Sequence, residues 1–275
     1  MTTLRRTSHP PRGTLAWAST LVAAAMLTGC AQGPSPAADP TSVAPEPLAT
    51  STSATATPPN DALAGRTIAL DPGHNGGNAA HPDEIARQVP DGRGGTKACN
   101  TTGTATDDGY TESAFTWAVA QLLSENLESK GARVIMSRDD DDGAGPCVDE
   151  RGTFADGADA LVSIHANGSE SSRTKGFHVI VADPGTSPEL EEQSSALALS
   201  VSTAMAESFT PNQAYGEDAI SPRPDLAGLN NASVPAVIVE CGEMRNPDEA
   251  EVMERREVEL LARLGVADPY REAAA

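Results

Sequence analysis

Pro235-Ala236-Val237-Ile238-Val239-Glu240 reads as a strand with no polar side chain until its last residue. A half-exposed strand alternates apolar and polar positions. An unbroken Val-Ile-Val run therefore implies burial on both faces, as in a parallel sheet covered above and below. Working outward, comparable runs recur at Arg66–Asp71, Arg133–Ser137, Ala160–His165 and Gly176–Val181. Helical stretches separate them. Glu112 to Lys130 carries Phe115, Val119, Leu122 and Leu123 at helical spacing, and Gly131 follows as a stop. Glu150 to Asp156 reads as a short helix, Pro188 to Ser208 as a long one and Asp248 to Leu264 as a terminal one. Strands alternating with helices predict a single α/β domain over residues 62–270, a mostly parallel twisted sheet flanked by helices on both faces. The Gly76–Gly109 segment, rich in Gly, Asp, Asn and Thr, breaks this rhythm. Loops that long are usually functional or disordered.

The amino-terminal part has a different composition. Residues 1–29 read as an export signal, with Arg5, Arg6 and Arg12 ahead of a short apolar run from Leu15 to Leu27. That run is about half of what a spanning helix needs. Leu27-Thr28-Gly29-Cys30 resembles the lipobox of bacterial lipoproteins. The resemblance implies cleavage before Cys30, lipidation of its thiol and attachment to a membrane surface. An ordinary signal peptide with a chance Cys is the alternative. Residues 30–61 are mostly Pro, Ala, Ser and Thr and read as a disordered tether. These features predict an exported, lipid-anchored protein of the cell envelope; they do not set the oligomeric state, for which a monomer is the default expectation. A formal charge of −20 argues against a nucleic-acid partner, which demands clustered Lys and Arg. In an oxidising compartment a Cys99–Cys147 disulfide is expected, with two free loop thiols as the alternative, whereas Cys241 ends a strand and reads as a small buried residue.

Three candidate site residues share one structural address. His74 sits just past the first strand, His165 ends the third and Glu240 ends the fifth. Open α/β sheets gather their sites outside the carboxyl ends of strands. Glu112 joins them by a different argument, because it starts a helix on the same face as Phe115, Val119 and Leu122. A carboxylate on a buried stripe needs a partner. Two imidazoles and a carboxylate with a position left open form a zinc set.

Asp71-Pro72-Gly73-His74, the helix-initial Glu112, Ser163-Ile164-His165-Ala166-Asn167 and Val234–Glu240 together resemble the motifs of the zinc-dependent N-acetylmuramoyl-L-alanine amidases, the amidase type 3 group. The likeness covers about residues 64–265, and the long 76–109 segment resembles an actinobacterial elaboration that partly covers the site. The resemblance implies Zn2+ held by His74, Glu112 and His165, Glu240 as the catalytic acid/base, and peptidoglycan muropeptides as substrate. Asn167 either touches substrate or braces the loop after His165. Arg138, Arg151 and Asp159 match family positions and read as structural, with Arg138 kept as a candidate for the substrate side or the support of the site. Asn246 matches an Asn after the catalytic Glu. Cys241-Gly242-Glu243-Met244 departs from the family's aromatic-rich stretch. His178 reads as peripheral. Two other functions remain open at this stage, a stem-peptide carboxypeptidase and an inactive wall-binding lipoprotein.

Overall fold

The Val237-Ile238-Val239 run lies near the centre of a six-stranded sheet whose strand order is β4-β1-β5-β8-β6-β7. The structure is a computed structural model and describes residues 61–254, so the export signal, Cys30 and the tether lie outside the described residues. The strands are β1 (Thr67–Pro72), β2 (Gln88–Pro90), β3 (Thr96–Ala98), β4 (Arg133–Met136), β5 (Ala160–Asn167), β6 (His178–Ala182), β7 (Ile220–Arg223) and β8 (Ala236–Glu243). The helices are α1 (Pro82–Ile85), α2 (Glu112–Ser129), α3 (Glu150–Thr153), α4 (Pro188–Ala206), α5 (Ala227–Asn230) and α6 (Pro247–Glu254). The remainder of the expected terminal helix falls beyond residue 254.

β1, β4, β5 and β8 run parallel, in agreement with the mostly parallel sheet expected. β6 opposes β8, and β7 follows β6. The reason is connection length. Only residues 168–177 separate β5 from β6. A parallel return needs a crossover of about a dozen residues or more, so the chain re-enters the sheet from the edge where it left. Because β6 is antiparallel to β8, its first residue His178 sits at the carboxyl edge of β8, paired in register with Glu240.

The two faces are covered unequally. Phe115, Val119 and Leu123 of α2 and Leu197, Val201 and Met205 of α4 pack on Leu70, Val162, Ile164, Val179, Val237 and Val239. Leu122, expected on that stripe, is only partly buried; Ala120, Leu123 and Leu127 complete it. The opposite face, with Leu161, Ile180 and Ile238, meets Leu229 of α5, Ala155 and the 232–234 segment. Helices flank both faces as expected, although the second face has only short ones. This leaves room for a cavity there.

α2 starts where Thr111 accepts a hydrogen bond from the Ala114 amide, a cap worth about 1 kcal/mol. It ends before Gly131, whose φ of +91° suits a residue without a side chain. Asn246 caps α6 in the same way, accepting from the amides of Asp248 and Glu249.

The 76–109 segment is ordered. β2 and β3 pair as a small antiparallel hairpin, and the disulfide Cys99–Cys147 ties its far end to the loop before α3. Both sulfurs are buried beside Val89. Closing a loop of 48 residues removes chain entropy from the unfolded state and contributes roughly 3–4 kcal/mol. Thiol labelling of unreduced, unfolded protein is expected to leave Cys99 and Cys147 unmodified while Cys241 reacts. Reaction at all three would remove the disulfide from the account. Cys241 itself is a free thiol inside β8 at the core's edge, and burial pushes its pKa up. No helix among the described residues is long and apolar enough to cross a membrane.

Candidate metal centre and active site

The carboxyl edge of the parallel strands brings His74, Glu112 and His165 together. β5 places His165 level with the turn after β1, since Pro72 pairs with Ile164 and the Gly73 amide donates to the Ile164 carbonyl. A Cβ on Gly73 would stand 2.3 Å from the His165 ring, so only glycine allows this approach. The chain then turns back at His74, a non-glycine residue at φ +59°. Such a left-handed conformation is uncommon for a side-chain-bearing residue and concentrates at functional sites.

Both imidazoles address one oxygen. His74 Nε2 lies 3.2 Å and His165 Nδ1 2.9 Å from Glu112 Oε1. One donor atom from each of the three residues falls within 4.8 Å of the others. Tetrahedral ligands about 2.0–2.1 Å from an ion stand roughly 3.4 Å apart. The donor chemistry and the spacing thus both fit zinc. The polar surroundings hold the donors in place. His74 Nδ1 lies 3.0 Å from the Thr101 carbonyl, which can only accept, so Nδ1 carries a hydrogen and Nε2 is the nitrogen left to donate to Glu112 in the metal-free protein or to give its lone pair to an ion. The Thr104 amide donates to Glu112 Oε2 at 2.9 Å, and a Cβ on Gly103 would lie 2.8 Å from that oxygen. Burial alone would raise the Glu112 pKa. Hydrogen bonds from His165 and His74 overcome this and hold it well below the usual carboxylate range. Burial likewise opposes charge on His74, but the hydrogen bond and charge of Glu112 raise its pKa.

Beneath these residues lies a buried support made of Arg151, read from the sequence as structural, and Asp71, whose part in it was not singled out. Asp71 is 3% exposed and accepts from Arg151 Nη1 at 2.5 Å, Ser137 Oγ at 2.5 Å and Ser163 Oγ at 2.6 Å. Burial raises its pKa less than Arg151 and the two hydroxyls lower it. Arg151 also donates to the carbonyls of Pro72, His74 and Pro146. It therefore fixes the left-handed turn from below. A charged residue inside the Thr67–Pro72 apolar run was the available signal, because a buried carboxylate demands partners.

Arg138 has the same kind of role on the other side of the turn. It donates to the carbonyls of Pro72, Asp140 and Ser113 and to Asp141, and it does not line the cavity. Asp159 receives Arg66 and the Thr67 amide at the start of β1. Asn167 donates to Glu243 Oε1 at 2.7 Å, which also receives Ser169 Oγ. Glu243 is buried and accepts the Ser169 amide as well. The departure at Glu243 thus supplies the acceptor that braces the loop after His165, and Asn167 is part of that brace.

Glu240 occupies the neighbouring strand end, in register with His165. Its Oε2 is buried without a hydrogen-bond partner. Burial, then the negative charges of Glu112 and Glu243, raise its pKa to about 8. His74, Glu112, His165 and Glu240 all line one cavity of about 410 Å³ on the second face of the sheet. Thr101 and Thr104 form part of its wall, as do Lys97 and Ala98 of the hairpin. The long segment thus walls the site without filling it. His178 lies outside the cavity lining, stacked on Tyr215 at 3.8 Å, and burial lowers its pKa to about 4.

A family model for N-acetylmuramoyl-L-alanine amidases matches residues 68–266, and the chain belongs to that family. Among its relatives, the N-acetylmuramoyl-L-alanine amidase Rv3717 of Mycobacterium tuberculosis is 43% identical over 208 residues, covering 74% of this chain and 84% of the relative. The crystal structure of the N-acetylmuramyl-L-alanine amidase Ami1 from Mycobacterium smegmatis is similar with a TM-score of 0.68 at 43% identity, over 74% of this chain and 94% of that one. The apo form of Ami1 from Mycobacterium abscessus gives a TM-score of 0.70 at 41% identity, over 76% and 99%.

Proposed function

We propose that the chain is a zinc-dependent peptidoglycan hydrolase that cleaves the amide between the lactyl group of N-acetylmuramic acid and the first L-alanine of the stem peptide. The observation that carries this reading is the convergence of two imidazoles and one carboxylate on a cavity that also receives the unpartnered carboxyl oxygen of Glu240. Family membership supplies the bond, and the side chains supply the chemistry. His74, Glu112 and His165 are the proposed zinc ligands. Zinc bound there contributes Lewis acidity toward the scissile carbonyl and brings the pKa of water to roughly 7.

Glu240 does the proton work. As a carboxylate it accepts a proton from the attacking water, and as the acid it returns that proton to the departing amine. In the metal-free protein burial and the charges of Glu112 and Glu243 favour the protonated form of this carboxyl, and the positive charge of an ion held by Glu112 would favour the carboxylate that the first half of the cycle requires. Asp71 and Arg151 keep the His74 turn rigid, and Glu243 with Asn167 keeps the loop after His165 rigid. Export and attachment at Cys30 remain part of the proposal and would place the enzyme at its polymeric substrate.

The test is mass spectrometry of muropeptides after incubation with zinc-loaded protein. Intact stem peptides beginning with L-alanine are the expected new products. Release of D-alanine alone would instead identify a carboxypeptidase.

A further inference from the structure

The cavity extends beyond the four site residues along the sheet face, past Ile238 and Ile180, and its far wall carries cations. Three cationic residues line it, Lys97, Arg151 and Arg223. Arg151 is committed to Asp71 and three backbone carbonyls. Arg223, at the end of β7, is held differently. Its Nε and Nη2 meet the two oxygens of Asp225 at 2.9 and 2.6 Å. No hydrogen bond among the described residues engages its Nη1. Lys97, from β3, anchors the hairpin to the same segment by donating to the Asp225 carbonyl at 2.7 Å. Side-on pairing through Nε and Nη2 orients a guanidinium and leaves its other edge free for a second planar acceptor. Arg223 is also near enough to Glu240 for its charge to oppose the rise in that carboxyl's pKa.

The charge of the substrate says what this edge is for. In a muramoyl peptide the sugar side is neutral, and every negative charge lies on the peptide that leaves. Glu240 protonates the leaving amine, so groups beyond Glu240 meet that peptide. The chain itself is strongly acidic, with a formal charge of −20, and Glu112 and Glu240 line the cavity with Glu243 close enough to act on Glu240. An anionic peptide is repelled by such a surface unless a local cation receives it. From these observations we propose that Arg223, oriented by Asp225 and supported by Lys97, binds a free carboxylate on the second residue of the leaving peptide. It thereby makes the enzyme discriminate between acidic and amidated stem peptides. This rests on the amidase reading above, and it names the part of the substrate that the reading leaves open.

Two measurements on the zinc-loaded full chain test it. The first is calorimetric binding of dipeptides that begin with L-alanine and carry a γ-linked D-glutamate with its α-carboxyl either free or amidated. The free acid is expected to bind about 10-fold more tightly, the scale of one charge-assisted pair. Arg223→Gln is expected to abolish the difference, and Arg223→Lys to retain part of it, because charge survives but the fork does not. The second is kcat/KM on the matching muramoyl dipeptides. There Arg223→Gln is expected to raise KM for the acid about 10-fold with kcat nearly unchanged, and to leave the amide within about 2-fold. Equal losses on acid and amide, or an unchanged preference in Arg223→Gln, would overturn the assignment. Dipeptide selectivity without turnover of either muramoyl compound would retain the carboxylate site and reject the amidase reading.

Discussion

Glu240→Ala is expected to bind zinc normally and to turn over muropeptides about 10³-fold more slowly or worse, the range of a lost acid/base group. Glu240→Gln should lose nearly as much, since it keeps the shape and cannot take up and return a proton. Neither variant should be less stable than the wild type. Glu240 Oε2 is buried with no partner, and a polar atom in that position costs rather than contributes folding free energy. Active sites commonly hold such groups against stability. The pH dependence of the metal-free protein adds a second readout. The carboxyl's pKa is raised from 4.5 to about 8 in the folded state. Between those values the folded chain binds the extra proton, so stability falls as pH rises through that window. In Glu240→Gln that part of the slope should vanish. Near-normal turnover by either variant, measured with zinc content confirmed by metal analysis, would remove Glu240 from the mechanism.

How much of this was legible beforehand follows from what a sequence encodes directly. Strands buried on both faces announce themselves, and Val237-Ile238-Val239 and Leu161-Val162 did so because nothing polar could be tolerated there. Strand direction is not written in composition. His178–Ala182 is as apolar as its parallel neighbours, and only the brevity of the 168–177 connection holds the information that it runs the other way. β7, with the sequence Ile-Ser-Pro-Arg, has neither length nor pattern to declare itself as a strand. The three-residue strands of the hairpin share that defect.

The site divides along the same line. His74, His165 and Glu240 could be singled out because side-chain chemistry at a strand end is visible one residue at a time, and Glu112 because a carboxylate on an apolar stripe is anomalous. Their supports are partly backbone groups. The Thr101 carbonyl and the Thr104 amide could belong to any residue, so nothing in Thr101-Thr102-Gly103-Thr104 marks the segment as the partner of His74 and Glu112. Asp71 and Glu243 were readable in principle, as charges inside otherwise apolar strands. Finding their partners needed the fold.

His165→Ala is expected to leave the protein folded and unable to retain zinc. The ring is one of three proposed donors, and a two-ligand remnant holds a divalent ion far more weakly. The fold should survive because His165 contributes little to either core cluster and its backbone remains in a central strand. The loss of the ring does uncover Glu112. In the wild type its Oε1 receives His165 Nδ1 at 2.9 Å, His74 Nε2 at 3.2 Å and the Ala166 amide at 3.2 Å. Removing one donor from a carboxylate that is 4% exposed weakens the compensation for its burial, leaving His74, the Ala166 amide and, on Oε2, the Thr104 amide. A destabilisation of about 1–3 kcal/mol should follow, with the pKa of Glu112 rising toward the ordinary value. The same reasoning predicts the sign of the pH effect. The depressed pKa of Glu112 contributes stability above the ordinary carboxylate range, and this is lost as pH falls through the folded value. His165→Ala should therefore narrow the stability difference between neutral and acidic pH in metal-free protein. Metal analysis after dialysis and paired unfolding curves decide the matter. Full zinc occupancy in the variant would mean that the ion sits elsewhere, and that the pair of imidazoles around Glu112 is a structural cluster rather than a metal centre.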